Sequence, residues 1–333
     1  MPQRPTTVLR KLGCLAGFIL LCLAWIWAVG ALHFAFHLPA VLALLLIPSF
    51  PLACILWRSR RRQIVGFLIG CVAVVLVAFL LTVRASNDRD WWVENSIQPT
   101  ARFDDASGLV EIKGIRNFQW RGRKDFAPAW EDRSFQLANA DSLDLIIEPL
   151  GDSEYFAHSM LSFGFGEDGH IIISVEVRRE KGEEFGLLPG LYGQFELMYQ
   201  VLDERDALTL RALDPKANLY IYPVAATPQF IRDLFVDMLE EANSLVGKPR
   251  FYHSLRSNCT TKLLDHMNQV IDRPLAYRKE VLFPSMAGKL LAEMDWLAGD
   301  LPYDQAKLQA RSVDRVRKFA GDEKFSDKIR QHE

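Results

Sequence analysis

The first 83 residues contain no aspartate or glutamate and only seven basic side chains. The later residues carry all 41 acidic side chains and 32 of the 39 basic ones, a net charge of −9. This mildly acidic part lacks the concentrated basic surface that phosphate binding needs, so no nucleic acid partner is expected. Cysteine is scarce there as well, since Cys259 is the only one after Cys71. An internal disulfide scaffold is therefore excluded for this part.

The N-terminal part consists mainly of three apolar stretches without charged side chains, at residues 12–32, 38–57 and 64–83. Each is close to the ~20 residues that a helix needs to cross a bilayer. A cleavable signal peptide is the alternative for the first stretch, but its apolar run is too long and two more follow. None shows the polar face of a soluble bundle helix. We predict a membrane anchor of three transmembrane helices over residues 1–83, the second kinked by its prolines.

The basic residues of the anchor predict its orientation. Arg4, Arg10 and Lys11 precede the first span, and a basic run at 58–62 joins the second span to the third. The connection at 33–39 carries no lysine or arginine. Because basic loops stay in the cytoplasm, the N-terminus is expected there and residues 84–333 outside it. In a bacterium this is an inner-membrane protein with a periplasmic C-terminal domain.

After the anchor, the sequence predicts an α+β domain. Residues 84–110 are interpreted as a membrane-proximal linker. From 111 to about 225 the pattern is mostly that of strands, including a hairpin around Gly166-Glu-Asp-Gly169 and a further strand at 207–212. A helical pattern begins at Thr227, followed by helices near 257–271 and 284–298. Strands followed by helices are typical of the α+β class. The domain is placed at 111–300, and residues 301–333 are expected to be a charged, loosely held tail.

Cys259 is the candidate nucleophile. It follows Ser257 and Asn258, either of which is able to cap the helix that comes next. A cysteine in the first turn lies near unpaired N–H groups and the positive end of the helix dipole, which favours thiolate. The same N–H groups are suited to hold a developing oxyanion. The alternative is a small buried apolar residue, as most free cysteines are, but the polar neighbours favour a nucleophile.

A thiol nucleophile needs a base, usually a histidine held by a third polar group. His158 lies in an otherwise apolar strand, where an unpaired imidazole is costly. His253 is too close to Cys259 in an extended segment to be aimed at it, and His266 lies two turns along the helix, roughly 10 Å away. His158 is therefore the predicted base, with a hydrogen-bonded core histidine as the alternative.

The third group is predicted from strand register. A three-residue hairpin loop would pair Gly166 with His170 and place His158 on the same sheet face as Ser174 and Glu176. Glu176 would then lie diagonal to His158, within reach to orient it. A two-residue loop would reverse this relation. His170 is the alternative orienting group, and a solvent-exposed strand carboxylate is the alternative for Glu176.

With these residues the sequence resembles a known family. A histidine on a strand that precedes the Asn258-Cys-Thr-Thr261 helix start resembles the circularly permuted papain-like group, which includes NlpC-type hydrolases and lecithin:retinol acyltransferase-like enzymes. Residues 111–270 resemble, more closely, the Lnb-type N-terminal periplasmic domain. The matching segments are 115–118, 130–133, 157–159, 162–165, 174–178, 196–199, 203–206 and 258–261.

The resemblance implies acyl transfer, since Lnb-type enzymes are N-acyltransferases that complete the lipid modification of bacterial lipoproteins with an acyl chain from phospholipid. Cys259, His158 and Glu176 would be catalytic. The expected substrate-binding or supporting residues are Asn258, Thr260, Ser174, Arg178 and Tyr252. Arginines of the matching segments, Arg178 among them, would bind a lipid phosphate or else form ion pairs that hold the fold together.

Two other functions remain open at this stage. One is a thiol hydrolase, acting as a peptidase, amidase or lipase on envelope material. The other is a non-catalytic envelope module. The expected partners are membrane lipids and a lipoprotein or peptide substrate. No cofactor and no metal are expected, because no metal-ligand spacing and no phosphate-cradling glycine loop occur.

Overall fold

The computed structural model describes residues 5–151, 156–271, 275 and 284–331. Arg4, one of the basic residues behind the predicted orientation, lies outside the described residues. The chain divides into two units. The first consists of residues 1–85 together with 186–194, and the second of residues 86–185 and 195–333.

The first unit contains three apolar helices, α1 (Pro5–Phe34), α2 (Ala40–Leu56) and α3 (Arg61–Thr82). Two helical segments, Leu12–Phe34 and Arg61–Thr82, are long and apolar enough to cross a membrane. The middle helix has only 17 residues and contains Pro48 and Pro51. Two of the three predicted spans thus meet the length of a membrane helix, and the third is a shorter apolar helix.

The short segment 186–194 belongs to the same unit as these helices. The ring of its Tyr192 stacks on Phe34 of α1, with the ring centroids 5.2 Å apart. Gly30 makes room for this contact, because a Cβ atom there would lie 2.0 Å from the Tyr192 hydroxyl oxygen. Glycine is therefore required at this close approach.

The second unit is built on a mostly antiparallel sheet with the strand order β1-β2-β9-β8-β7-β6-β10, in which β5 also pairs with β2. A separate hairpin is formed by β3 and β4. The strands are β1 (Thr100–Asp104), β2 (Leu109–Arg116), β3 (Gln119–Gly122), β4 (Asp125–Ala127), β5 (Trp130–Gln136), β6 (Ser142–Pro149), β7 (Ala157–Gly164), β8 (His170–Arg178), β9 (Glu196–Asp203) and β10 (Tyr220–Pro223). The mixed α+β class predicted from the sequence is confirmed.

The interpretation of residues 84–110 as a linker is wrong for its second half. Residues 100–104 form β1 at the edge of the sheet, paired with β2 from Thr100↔Lys113 to Asp104↔Leu109. The first half is also tied to the domain, since the Arg178 guanidinium donates hydrogen bonds to the carbonyl oxygens of Asn95 and Ser96. The segment is polar because it contains an edge strand and the residues that lead into it, and one side of an edge strand faces solvent. This polar composition had indicated a linker.

Helices cover both faces of the sheet. On one face α5 (Pro228–Gly247), α6 (Cys259–Val270) and α7 (Ala287–Glu293) share a core with alternate strand residues such as Leu161 and Ile173. The opposite face carries α4 (Glu204–Ala212), α9 (Val313–Phe319) and α10 (Phe325–Arg330), which pack on residues such as Met160 and Ile172. Between α7 and α9 lies α8 (Tyr303–Ala310). The helical stripe predicted after Thr227 is confirmed as α5, which Thr227 caps.

The prediction of a strand at 207–212 is wrong, because these residues form α4. Asp203 is the N-cap, and its carboxylate accepts a hydrogen bond from the Arg205 N–H at 3.0 Å. Glu204 and Asp206 follow in the first turn, where acidic side chains are stabilised by the helix dipole. The alternation of Ala207 to Ala212 suggested a strand, but the capping sequence before it determines the structure.

The C-terminal residues are not a loose tail. Helices α9 and α10 bury Val313, Val316, Phe325 and Ile329 in the core of the second face. Arg330, close to the end of the chain, forms salt bridges with Asp144 at 2.7 Å and Glu204 at 2.6 Å. The high charge of this segment hid its apolar positions, which recur at helical spacing.

Candidate active site

Cys259 is the first residue of α6, and the turn before it holds the helix start in place. The Asn258 side chain accepts a hydrogen bond from the Thr261 N–H at 2.9 Å, and the Thr261 hydroxyl accepts one from the Asn258 N–H at 3.0 Å. This reciprocal cap satisfies two of the N–H groups that a helix start leaves unpaired. Asn258 thus caps the helix that begins with Cys259, and the supporting role expected for it stays a prediction.

The register that places His158 differs from the prediction by two residues. His170 pairs with Gly164 and not with Gly166, so the hairpin loop has five residues. Gly169 in that loop has a φ of 79°, a conformation that suits glycine. Because the difference is an even number, Glu176 keeps the predicted sheet face. It moves from a position diagonal to His158 to one directly across from it.

Three side chains form a compact polar cluster on this face. The His158 Nε2 atom lies 2.8 Å from the Ser174 hydroxyl oxygen and 3.0 Å from Glu176 Oε1. The Ser174 hydroxyl donates to the same carboxylate oxygen at 2.8 Å. Since this bond uses the only proton of Ser174, Nε2 must be the donor toward Ser174. Nδ1 is therefore left as the ring nitrogen able to exchange a proton with a nucleophile.

Cys259 reaches this cluster from the opposite side of the sheet. The cysteine lies in the core on the sheet face that α6 covers. His158 lies two residues before Met160 on β7, so its side chain points to the other face, which α4 covers. The ladder between β7 and β8 ends at Met160↔Ser174, while β7 stays paired with β6 as far as Ala157. In the opening beyond this last pair, the sulfur meets the imidazole and the N–H of Ser159, both of which form hydrogen bonds with it.

The electrostatics of the cluster favour an ion pair between the thiol and the imidazole. Burial alone would lower the pKa of His158, but the charge of Glu176 and hydrogen bonds to Cys259 and Glu176 raise it to about 10. Burial alone would raise the pKa of Cys259, yet its interactions with His158, the Ser159 N–H and Thr260 lower it. The Glu176 pKa is also lowered, against its burial, by His158, Arg211 and Ser174. Both shifts favour the thiolate and imidazolium form of the pair over the neutral form.

Sequence reasoning missed Arg211, which holds Glu176 from α4. Its guanidinium lies 3.3 Å from Glu176 Oε1 and 3.0 Å from Glu148 Oε2. Glu148 pairs directly with His158 on β6, so the arginine bridges carboxylates on the two strands that flank the histidine. The capping sequence at Asp203 was the signal available, because a helix at 204–212 would have turned Arg211 toward the sheet.

Two further predicted residues lie at the cysteine. The Thr260 hydroxyl oxygen is 3.7 Å from the Cys259 sulfur. Tyr252 is buried, and burial together with the negative charges of Cys259 and Glu176 raises its pKa. Arg178 is placed differently: it is buried, donates to the Asn87 side chain at 3.0 Å, and lies over the Trp91 ring at 4.2 Å. These hydrogen bonds and the ring contact hold the chain segment before β1; they are not the ion pairs given as the alternative for the arginines.

His170 and His266 lie apart from His158. His170 is six residues before Glu176 on β8, about 20 Å along the strand, and it faces Glu204 and Arg330 instead. It does not orient His158. His266 is buried on α6, where Nδ1 lies 2.6 Å from Asp237 and the Tyr199 hydroxyl contacts Nε2. Within the described residues, no group of three or more His, Cys, Asp or Glu side chains is arranged to hold a metal ion.

An apolar cavity opens beside the nucleophile. It has a volume of about 550 Å³, counting the part open to solvent. Among the lining residues that the structure describes, the hydroxyl side chains are those of Ser159 and Thr260, the neighbours of His158 and Cys259. The remaining lining residues are aliphatic, methionine or tryptophan: Leu145, Leu161, Leu263, Leu264, Met267, Leu275, Ala287, Leu290, Leu291, Met294 and Trp296.

The comparison with known families agrees with this architecture. The family described as the Lnb N-terminal periplasmic domain matches residues 126–293, half of the chain. The chain belongs to this family. The matched range contains β7, β8 and the start of α6, and with them His158, Glu176 and Cys259. No curated protein and no solved structure matches the chain.

Membership of the Lnb family confirms the resemblance drawn from the sequence. The matched part is a periplasmic domain, and the apolar helices that precede it make this a membrane-anchored periplasmic protein. The structure brings together the three residues predicted to be catalytic and separates them from His170 and Arg178. Their catalytic roles stay a prediction.

Proposed function

We propose that the protein is a membrane-anchored cysteine acyltransferase. Cys259 takes an acyl chain from a phospholipid ester as a thioester and passes it to an amine, such as the N-terminus of a lipoprotein. The order of a strand-borne His158 before a helix-borne Cys259 supports a permuted papain-like arrangement. We also propose that the anchor lies in the bacterial inner membrane with its N-terminus in the cytoplasm, as the basic residues of the anchor favour.

The single observation that carries the proposal is the contact between Cys259 and His158 beside an apolar cavity that their neighbours Thr260 and Ser159 line. The pKa shifts of the two groups favour a thiolate–imidazolium pair. The pair provides the nucleophile and the proton donor of acyl transfer. The cavity favours acyl chemistry over peptide chemistry, because the lining residues that the structure describes are nearly all apolar and offer few partners for the N–H and C=O groups of a peptide. A hydrocarbon chain needs none.

The chemistry balances without a cofactor. The thiolate attacks the ester carbonyl, and the His158 imidazolium gives its proton to the departing alcohol oxygen, leaving a thioester and a neutral imidazole. The imidazole then takes a proton from the attacking amine. Collapse of the second tetrahedral intermediate forms the amide and restores the thiolate and the imidazolium. Glu176 and Ser174 hold Nε2 through both steps, so that Nδ1 stays directed at the reacting atoms.

The test is to incubate the full-length protein with vesicles of phospholipid that carries a labelled fatty acid. We expect a hydroxylamine-labile label on Cys259, release of lysophospholipid, and transfer of the label to an N-terminal lipopeptide. The Cys259→Ser and His158→Ala variants should show none of the three. His266→Asn, which alters a buried histidine on the same helix, is the matched control and should keep the label.

Two results would contradict the proposal. Labelled free fatty acid without acylated lipopeptide would indicate a hydrolase. An unlabelled Cys259, together with a cellular phenotype that survives both variants, would indicate an envelope module without catalysis.

A further inference from the structure

Ser159 differs from the other polar residues around the site. Its side chain is 1% exposed, and within the described part of the chain its hydroxyl has no hydrogen-bond partner. The neighbouring serines on the same two strands are bonded, since Ser162 donates to Glu204 and Ser174 to Glu176. Buried hydroxyl groups in folded proteins nearly always have a partner, so an unpaired one beside a nucleophile calls for an explanation.

The position of Ser159 relates this hydroxyl to the nucleophile and to the cavity. Its N–H forms a hydrogen bond with the Cys259 sulfur, and its side chain lines the apolar cavity. Because successive strand residues point to opposite faces, His158 and Ser159 reach the sulfur from the two sides of the sheet. The hydroxyl therefore lies at the polar end of the cavity, beside the atom that would be attacked by the thiolate.

A water molecule does not provide the missing partner well. An ordered buried water needs two to four polar neighbours, and among the described lining residues only Ser159 and Thr260 have hydroxyl side chains. The Thr260 hydroxyl already contacts the sulfur. A ligand that fills the cavity with hydrocarbon and presents one acceptor oxygen at its end fits this lining better.

We propose that the Ser159 hydroxyl donates a hydrogen bond to the carbonyl oxygen of an acyl ester whose hydrocarbon chain lies in the cavity. The inference rests on the proposed function, because it takes Cys259 as the nucleophile. It adds that the Ser159 hydroxyl recognises the ester carbonyl and that the hydrocarbon chain of the ester lies in the cavity.

The role of the Ser159 hydroxyl follows from the negative charge that develops on the ester carbonyl oxygen during the reaction. When the thiolate attacks, an S–C bond forms and the π electrons of the carbonyl move to its oxygen, which becomes an oxyanion. In the proposed complex the Ser159 hydroxyl and the N–H groups at the start of α6 that the cap does not use would donate to that oxygen. The oxyanion then reforms the carbonyl as the C–O bond to the alcohol breaks. His158 gives its proton to the departing alcohol oxygen. The hydroxyl donates throughout without losing its proton.

The experiment compares two reactions of Cys259 in the full-length, detergent-solubilised protein. Acylation by 4-nitrophenyl octanoate passes through an oxyanion, whereas alkylation by iodoacetamide places no charge on an oxygen and reports only on the thiolate. For Ser159→Ala we expect acylation to slow about tenfold or more, with the alkylation rate and its pH profile unchanged. The matched control is Thr209→Val, which removes another buried, unpartnered hydroxyl that does not line the cavity. It should leave both rates unchanged.

The outcomes separate this inference from the proposed function. If Ser159→Ala slows acylation and alkylation equally, Ser159 acts through the thiolate. If the acylation rate is unchanged, Ser159 has no role in acylation. Either result overturns the inference. The melting temperature of each variant shows whether the fold is intact. If the wild-type protein takes no acyl chain from phospholipid vesicles, the proposed function fails, while the nitrophenyl ester still tests Ser159.

Discussion

Replacing Glu176 by glutamine is expected to weaken the thiolate at Cys259 without a direct contact to it. Glutamine keeps the shape of the side chain and an acceptor for Ser174, but it removes the charge that lies 3.0 Å from His158 Nε2. The imidazolium loses its counter-charge while the Arg211 guanidinium remains nearby. The proton then prefers the sulfur to the imidazole, so the neutral thiol and imidazole replace the ion pair.

The magnitude follows from the distance. Opposite charges 3.0 Å apart attract by about 5 kcal/mol at an effective dielectric constant of about 20. The substitution also removes the repulsion between Glu176 and the thiolate, which offsets part of this loss. Since each pH unit corresponds to about 1.4 kcal/mol, we expect the ion pair to lose roughly two to three powers of ten relative to the neutral pair.

The assay is the rate of Cys259 alkylation by iodoacetamide between pH 5 and 10. In the wild-type protein the lowered pKa of Cys259 and the raised pKa of His158 predict a plateau through neutral pH. In Glu176→Gln the rate at pH 7 should fall and continue to rise with pH into the ordinary range of a thiol. Identical profiles for the two proteins would refute the reasoning.

Glu148→Gln provides the matched control. Glu148 pairs with His158 on the other neighbouring strand and binds the same arginine, but it is not among the groups that shift the pKa of His158. Its replacement should leave the alkylation plateau in place. A loss of the plateau equal to that of Glu176→Gln would show that total charge, and not the contact with Nε2, controls the pair.

Three further changes test the interactions around the site. Arg211→Gln removes the cation shared by Glu148 and Glu176 and should lower the free energy of unfolding by about 3 kcal/mol, measured in urea at pH 7; an unchanged value would contradict the buried network. Arg330→Ala should cost a similar amount, about 3 kcal/mol, because it leaves Glu204 charged and buried, and a stability equal to wild type would mean that the ion pairs of Arg330 contribute nothing. Asn258→Ala removes the cap of α6 and should cost about 1 kcal/mol while slowing alkylation of Cys259; normal alkylation would show that the cap does not position the thiol.

Much of the site could be predicted because its signals are local. A hairpin, a capped helix and an amphipathic stripe each lie within a few residues, so β7, β8, α5 and α6 follow from sequence patterns. The hairpin loop was two residues longer than predicted, and Glu176 still reached the expected face. An error of two residues preserves the face of every side chain, whereas an error of one would have turned Glu176 away from His158.

The parts that failed depend on contacts between distant residues. The segment at 207–212 alternates like a strand, and only its packing on Met160 and Ile172 together with the Asp203 cap makes it α4. The C-terminal residues looked like a solvated tail because their charges are conspicuous. Arg330 is half-buried against acidic side chains 126 and 186 positions earlier, a pairing that no local pattern reveals.

The meeting of Cys259 and His158 shows most clearly what sequence periodicity omits. Strand alternation assigns the histidine to one face and helix packing assigns the cysteine to the other, so an intact sheet would separate them. They meet because the β7–β8 ladder ends at Met160↔Ser174, which frees the Ser159 N–H to donate to sulfur instead of to β8. The end of this ladder is therefore part of the site. Residues that close or widen the opening should alter thiol reactivity even when the catalytic side chains are unchanged.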